Sequence, residues 1–322
     1  MTPEDIGLIR HCLPDEMAFP YYADRESAWL LANLMPGDDT VTALKQGSAA
    51  KLLTRPVLRP LAAATGGALA QRDVLALAHA DRAMAWDGLS RAAEAALEQL
   101  YGGDWLDFRL SLSSWGEGAD WQWNQLSRKG GNLVLQLGFP SEHTALMGQY
   151  LPRESRKDFE CAWHPVRQGG CPTLAWARLD VDLATGTALI EELQSDWLRI
   201  LRRRIDVMAQ HTPRARELKQ RQTYEAKLRD RYDRLWPKAM LLAVLMLLRD
   251  ELGCRDVYLH QPGPGAALKN IYGRHPPRSL YTTLPRSFCF EATRDVPHFL
   301  ARNRILRKLA RRPDPLFWRL AL

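Results

Sequence analysis

The sequence predicts an α+β fold, an antiparallel or mixed sheet with packed helices preceded by a helical N-terminal region. Three observations predict it. In the first hundred residues, apolar positions recur at three- and four-residue spacing. From about Trp105 the texture changes to short runs that alternate apolar and polar side chains, as half-buried strands do. Later strand-like runs are separated by helix-prone stretches. Residues 1–104 are therefore expected to form the helical region and residues 105–322 the sheet domain. An Arg-rich helical insertion is expected at about 198–235.

Element by element, "DRESAWLLANLM" and "LSRAAEAALEQLYGG" read as amphipathic helices, the second stopped at Gly102-Gly103. Between them "AAKLLTRPVLRPLAAATGG" is helix-prone but broken by Pro56 and Pro60. "DFRLSLSSW" and "NLVLQLGF" read as strands. "PSEHTALMGQYL" restarts a helix with Ser141 as its expected N-cap. "TLAWARLDVD" and "TALIEELQSD" predict a hairpin about Ala184-Thr185-Gly186. After the Arg-rich stretch, "WPKAMLLAVLMLLRDELG" predicts a helix with Pro237 in its first turn and Gly253 at its end. "RDVYLH" is a short strand, and "SLYTTL" with "SFCFEA" predicts two more about Pro285.

The charge balance is +7, concentrated in "RILRRRIDVMAQHTPRARELKQRQTYEAKLRDRYDR" and in the C-terminal "ARNRILRKLARRPDPLFWR". Basic runs attract phosphates and acidic surfaces, although acidic residues interrupt the first run as on a solvated helix face. The N-terminus lacks a basic start followed by an apolar run. The most apolar segment, "AMLLAVLMLL", is too short to cross a bilayer. A cytoplasmic protein with no membrane partner is expected. Five scattered cysteines, Cys12, Cys161, Cys171, Cys254 and Cys289, read as reduced thiols.

The chemistry concentrates in "EELQSDW", Glu191 to Trp197. On a strand, Glu192, Gln194 and Asp196 share a face, which sets two carboxylates and an amide within reach of one ligand. Neighbouring carboxylates out of water raise one another's pKa and can form an acid/base pair. Helix capping by Ser195 or Asp196 accounts for those two residues, but not for Glu192 and Gln194. Arg178, from the partner strand, is a charge partner for the acids.

The segment "AWARLDVDLATGTALIEELQSDW" resembles a module of large polyvalent proteins of phages and mobile elements. There a strand with an Arg precedes a run very close to "EELQSDW", followed by a Trp-led helix and another strand. The likeness covers roughly a quarter of the chain and assigns no reaction. At the level of fold, hairpin, helix and strand, then "AALKNIYGR" before a final strand pair, is similar in order to acetyl-CoA-dependent N-acetyltransferases. That likeness implies acyl-CoA as cosubstrate, its pyrophosphate held at a helix N-terminus through a Gly-rich turn. Here "LRILRRR" follows "EELQSDW" with no glycine, so Arg199 and Arg202 would have to hold the phosphates.

Other clusters are weighed in the same way. Cys161, His164 and Cys171 are soft ligands without an adjacent fourth, so no metal is expected. Ser141, Glu142 and His143 are consecutive, with no nucleophile elbow around the serine. In "HQPGPGAALKNIYGRHPPRSLYTTLPRSF", Gly263 and Gly265 are expected to precede a short helix whose N-terminus could take an anion. Lys269, Arg274, Arg278 and Arg286 add positive charge there; the other reading is a Pro-stiffened loop. Trp115, Trp121 and Trp123 near Arg128 and Lys129 read as core filler or as base-stacking surface.

Two function classes follow. One is an acyltransferase-like enzyme binding a phosphate-bearing cosubstrate, with Glu192 or Asp196 as base and Gln194 beside them. In that case Arg178, Arg199, Arg202, Gly263, Gly265, Lys269 and Arg278 form the cofactor-binding wall. The other is a nucleic-acid-binding or mobile-element-associated protein without catalysis, using the basic stretches. In either case the helical N-terminal region could meet a protein partner.

Overall fold

The computed structural model describes the chain except residues 36, 65–66, 117–124, 153–158, 160–163, 168–170, 212–214 and 272–276. The fold is α+β with a mixed sheet. The chain divides into two compact units. One comprises Met1–Phe19, Asp107–Pro285 and Glu291–Ala321; the other Pro20–Leu106 with Arg286–Phe290 and Leu322.

Helix α1 (Pro3–Cys12) opens on a capping box, in which the Thr2 side chain accepts from the Asp5 N–H and Asp5 reaches back to Thr2. Strand β1 (Met17–Tyr22) follows. The second unit then carries α2 (Arg25–Leu34), β2 (Asp39–Thr40), α3 (Val41–Leu44), α4 (Arg59–Ala64), β3 (Ala68–Leu69), α5 (Gln71–Ala78) and α6 (Arg91–Tyr101). Helix α2 is buried around most of its girth, and Ser90 caps α6 by accepting from the Ala93 N–H.

The sheet unit continues with β4 (Trp105–Trp115), β5 (Asn132–Gly138), α7 (His143–Tyr150), β6 (Thr173–Asp182) and β7 (Thr187–Gln194). Then come α8 (Asp196–His211), α9 (Ala215–Leu228), α10 (Trp236–Met246), β8 (Asp256–His260), α11 (Pro262–Leu268), α12 (Thr283–Ser287), β9 (Glu291–Thr293), α13 (Arg304–Leu309) and β10 (Phe317–Ala321). The strand order is β1-β4-β5-β6-β7-β8-β10-β9. Strands β7 and β8 run parallel, while β4–β5, β5–β6, β6–β7, β8–β10 and β10–β9 are antiparallel.

Strands β5, β6 and β7 are buried almost throughout, which places them at the centre of the sheet. Helix α10 packs on β6 and β7, and α8 packs on β6. Because it is covered on all sides, α10 is apolar all round. Gly253 ends that segment at φ +68, a left-handed position that costs glycine nothing. Among the described residues no helix is long and apolar enough to cross a membrane. Cys12, Cys171 and Cys254 are free thiols.

Several expectations change. "SLYTTL" is not a strand: Arg278–Tyr281 is a 3₁₀ turn, and Pro285 lies inside α12. Proline has no N–H for a sheet ladder but fits the first turn of a helix. "SFCFEA" supplies only the start of β9, because Cys289 sits at φ +62 and interrupts the extended run. Ser141 does not cap α7; the capping position is Glu142, with no side-chain bond. Gly263 and Gly265 do not precede a helix but lie within α11. That helix has only seven residues.

Candidate functional site at the carboxyl end of β7

The parallel pairing of β7 with β8 runs from Thr187↔Asp256 to Ile190↔Leu259 and goes no further. Beyond it β7 still extends to Gln194, so its backbone there lacks a β8 partner. Side chains fill the gap. Lys269 Nζ donates to the Glu191 carbonyl at 2.6 Å, and the Leu193 N–H donates to the Tyr281 hydroxyl at 3.2 Å. On the other flank, the β6–β7 register slips between Arg178↔Glu192 and Leu179↔Ile190. Glu191 is thus an extra residue in β7, a bulge that re-aims side chains around it.

Two acid–base pairs result, both buried. Glu191 accepts from the Ser127 N–H at 3.1 Å, from the Ser127 hydroxyl at 2.7 Å and from His260 Nε2 at 2.9 Å. Burial pushes its pKa up, but the His260 hydrogen bond and the charges of Lys269 and Arg178 outweigh that and hold it below the usual carboxylate range. An ionised Glu191 only accepts, so His260 Nε2 carries the proton and Nδ1 the lone pair. Burial lowers the His260 pKa, which keeps the ring neutral. Ser127 and Glu191 meet the same ring nitrogen. Ser127 donates to Glu191 and has no base, so this trio is not a nucleophile relay.

Glu192 pairs with Arg178, Nη2 to Oε2 at 2.5 Å. Burial raises the Glu192 pKa, yet the charges of Arg178 and Lys269 prevail and lower it. Arg178 is fully buried, lies 5.3 Å from the Trp115 ring centroid, and has no hydrogen-bond partner for Nε or Nη1 among the described residues. Burial lowers the Lys269 pKa.

The third group stands at the strand-to-helix junction. Asp196 is not on the strand but is the first residue of α8. Its carboxylate accepts from Trp176 Nε1 at 2.8 Å, Gln194 Nε2 at 2.7 Å and Arg199 Nη2 at 2.5 Å. His164 Nδ1 lies 2.8 Å from both carboxylate oxygens. Burial works against the charged form of Asp196, but His164, Trp176 and Arg199 outweigh it and lower the pKa. In the neutral ring, Asp196 as acceptor sets the proton on Nδ1 and the lone pair on Nε2. Asp196 is 1% exposed and His164 23% exposed, so a buried acid orients a base that meets solvent.

The predicted site residues therefore separate. Gln194, Asp196 and Arg199 gather around His164, while Glu192 and Arg178 pair one position back. Arg202 is taken by Glu225 and Asp233, away from this cluster. Gly263, Gly265, Lys269 and Arg278, with His260, Pro262, Ala266, Ile271 and Tyr281, line a cavity of about 370 Å³. His143 is a core residue, stacked on Phe139 and bonded to Tyr224. Cys171 donates to the Phe139 carbonyl, and among the described residues no group of three or more His, Cys, Asp or Glu could hold a metal ion. Cys161, Trp121, Trp123 and Arg274 lie outside the described residues.

Sequence reasoning missed Ser127, Glu191, Trp176, His260 and Tyr281 as site residues and weighed His164 only as a metal ligand. Only Glu191 carried a local signal, since it adjoins Glu192; a strict two-residue period assigned it to the opposite face. No protein-family model matches the chain, and no curated protein or solved structure matches it significantly.

Proposed function

We propose that this chain is an acyltransferase-like enzyme in which His164 deprotonates the acceptor. The observation that carries the proposal is the His164–Asp196 pair, a 2.8 Å contact between a partly buried imidazole and a buried carboxylate. An amine or hydroxyl of the acceptor gives its proton to Nε2 and attacks the acyl carbonyl; the leaving group departs with a proton returned by the imidazolium. Glu192 and Asp196 take other roles. Both are held ionised at low pKa by cations or donors, which suits orientation and charge balance rather than proton abstraction.

The order of elements supports the same reading: hairpin β6–β7, helices, β8, the short α11, then the closing pair β9–β10. The N-acetyltransferase likeness rests on a final strand pair in "SLYTTL" and "SFCFEA"; the closing pair here is β9 with the C-terminal β10 instead. Arg199 and Arg202 are engaged by carboxylates, so for a phosphate-bearing cosubstrate the exposed Arg278 is the available cation of those named.

The test is thiol release from acetyl-CoA in the presence of a panel of primary amines. The wild type is expected to release thiol, and His164→Gln to lose about a hundredfold or more in kcat with KM little changed. Full activity in His164→Gln, or no thiol release by the wild type with any amine, overturns the proposal.

A further inference from the structure

We infer that the cavity at the end of β8 binds a small carboxylate that carries an adjacent hydroxyl or N–H and an apolar tail. Its volume, about 370 Å³, lies in the range of small-molecule sites. Three buried polar groups on its wall are incompletely used. Lys269 has three ammonium hydrogens and, among the described residues, one acceptor, the Glu191 carbonyl. The Tyr281 hydroxyl accepts from the Leu193 N–H and has no acceptor for its own proton among the described residues. His260 Nδ1 is buried without any partner there. Since Nε2 holds the ring proton, Nδ1 offers a lone pair.

Two donors and one acceptor on one wall ask for a complementary ligand. A carboxylate accepts from Lys269 and Tyr281, and a neighbouring O–H or N–H donates to Nδ1. Pro262, Ala266 and Ile271 supply apolar wall for the rest of the molecule. Charge points the same way. Glu191 and Glu192 are matched by Arg178 and Lys269, with His260 neutral, which leaves Arg278 on the cavity wall as the uncompensated charge. Gly265 packs directly on the imidazole: a Cβ there would lie 2.7 Å from His260 Cβ and 3.5 Å from Nδ1. This inference does not rest on the His164 chemistry.

The experiment is calorimetric titration of the full chain with three probes: 2-hydroxy-4-methylpentanoate, 4-methylpentanoate and 2-hydroxy-4-methylpentanamide. The hydroxy acid is expected to bind, and the analogues lacking the hydroxyl or the charge to bind roughly tenfold more weakly or worse. Ala266→Trp fills the cavity without touching the polar network; it should abolish binding while its circular dichroism and melting stay native. Tyr281→Phe should weaken binding roughly tenfold. The inference is overturned if the hydroxy acid fails to bind at about 10 mM, if all three probes bind alike, or if folded Ala266→Trp binds as the wild type does.

Discussion

Arg178 and Glu192 sit side by side on adjacent strands with almost no water around them. Removing one partner of such a pair strands the other's charge in the protein, which typically costs about 3–5 kcal/mol. Glu192→Leu and Arg178→Met are each expected to destabilise by that order in urea unfolding. The double variant should recover much of the loss, because two apolar side chains replace two mutually dependent charges. Additive losses in the double variant would show that the pair is not coupled. Of the residues in this region, Glu192, Gln194 and Asp196 were legible because three polar groups at the end of an apolar strand need a reason. His164, Ser127 and His260 were not. Ser127 and His260 are 133 positions apart and meet only through the fold. Only the folded chain reveals that Arg199 and Arg202 hold carboxylates instead of facing a ligand.

Helix α11 lies close against the end of β8, and Gly265 sets the distance. A methyl group there would meet His260 Cβ at 2.7 Å, and the imidazole is held by Glu191 and Ser127, so it cannot swing aside. Gly265→Ala is expected to destabilise by about 1–3 kcal/mol, the usual cost of overpacking, read as a lower urea midpoint. An unchanged midpoint would mean that α11 shifts freely. At this scale the long alternating strands β4 and β5, the hairpin β6–β7 and the apolar helix α10 were readable, since burial on one or both faces dictates their pattern. Shorter elements were not. Strand β1 contains Pro20 and β10 is hidden in an Arg-rich tail, so composition masked the extended backbone of both. "SLYTTL" looked like a strand because β-branched and aromatic residues are common there, yet Pro285 and the burial of Leu280, Tyr281 and Leu284 selected helical turns. The bulge at Glu191 had no local signature at all, since it arises from how β7 registers on β6.

For the molecule as a whole, acid is the condition to which it should be most sensitive. His143, buried against Phe139 and bonded to Tyr224, has its pKa lowered to about 3 by burial and by Arg231. A histidine depressed in the folded state binds fewer protons there than when unfolded. Its contribution is therefore intact above about 6.5 and is lost as pH falls toward about 3. Within that window it removes about 1.4 kcal/mol per pH unit. His260 acts with the same sign, and Asp196 and Glu192, also depressed, join below their usual values of 3.8 and 4.5. Urea midpoints at about pH 7 and about pH 5 should differ clearly for the wild type and less for His143→Gln. Equal acid losses in both proteins would remove His143 as a cause.

The side-chain bonds from Lys269 and Tyr281 to the unpaired end of β7 have a mechanical consequence. While both hold, the edge of β7 beyond Ile190 is already engaged, so β8 cannot zip onward along its neighbour. Shortening both residues together would free that stretch of backbone to seek another partner, whether β8 itself or an extended segment of a second molecule, at the expense of the cavity.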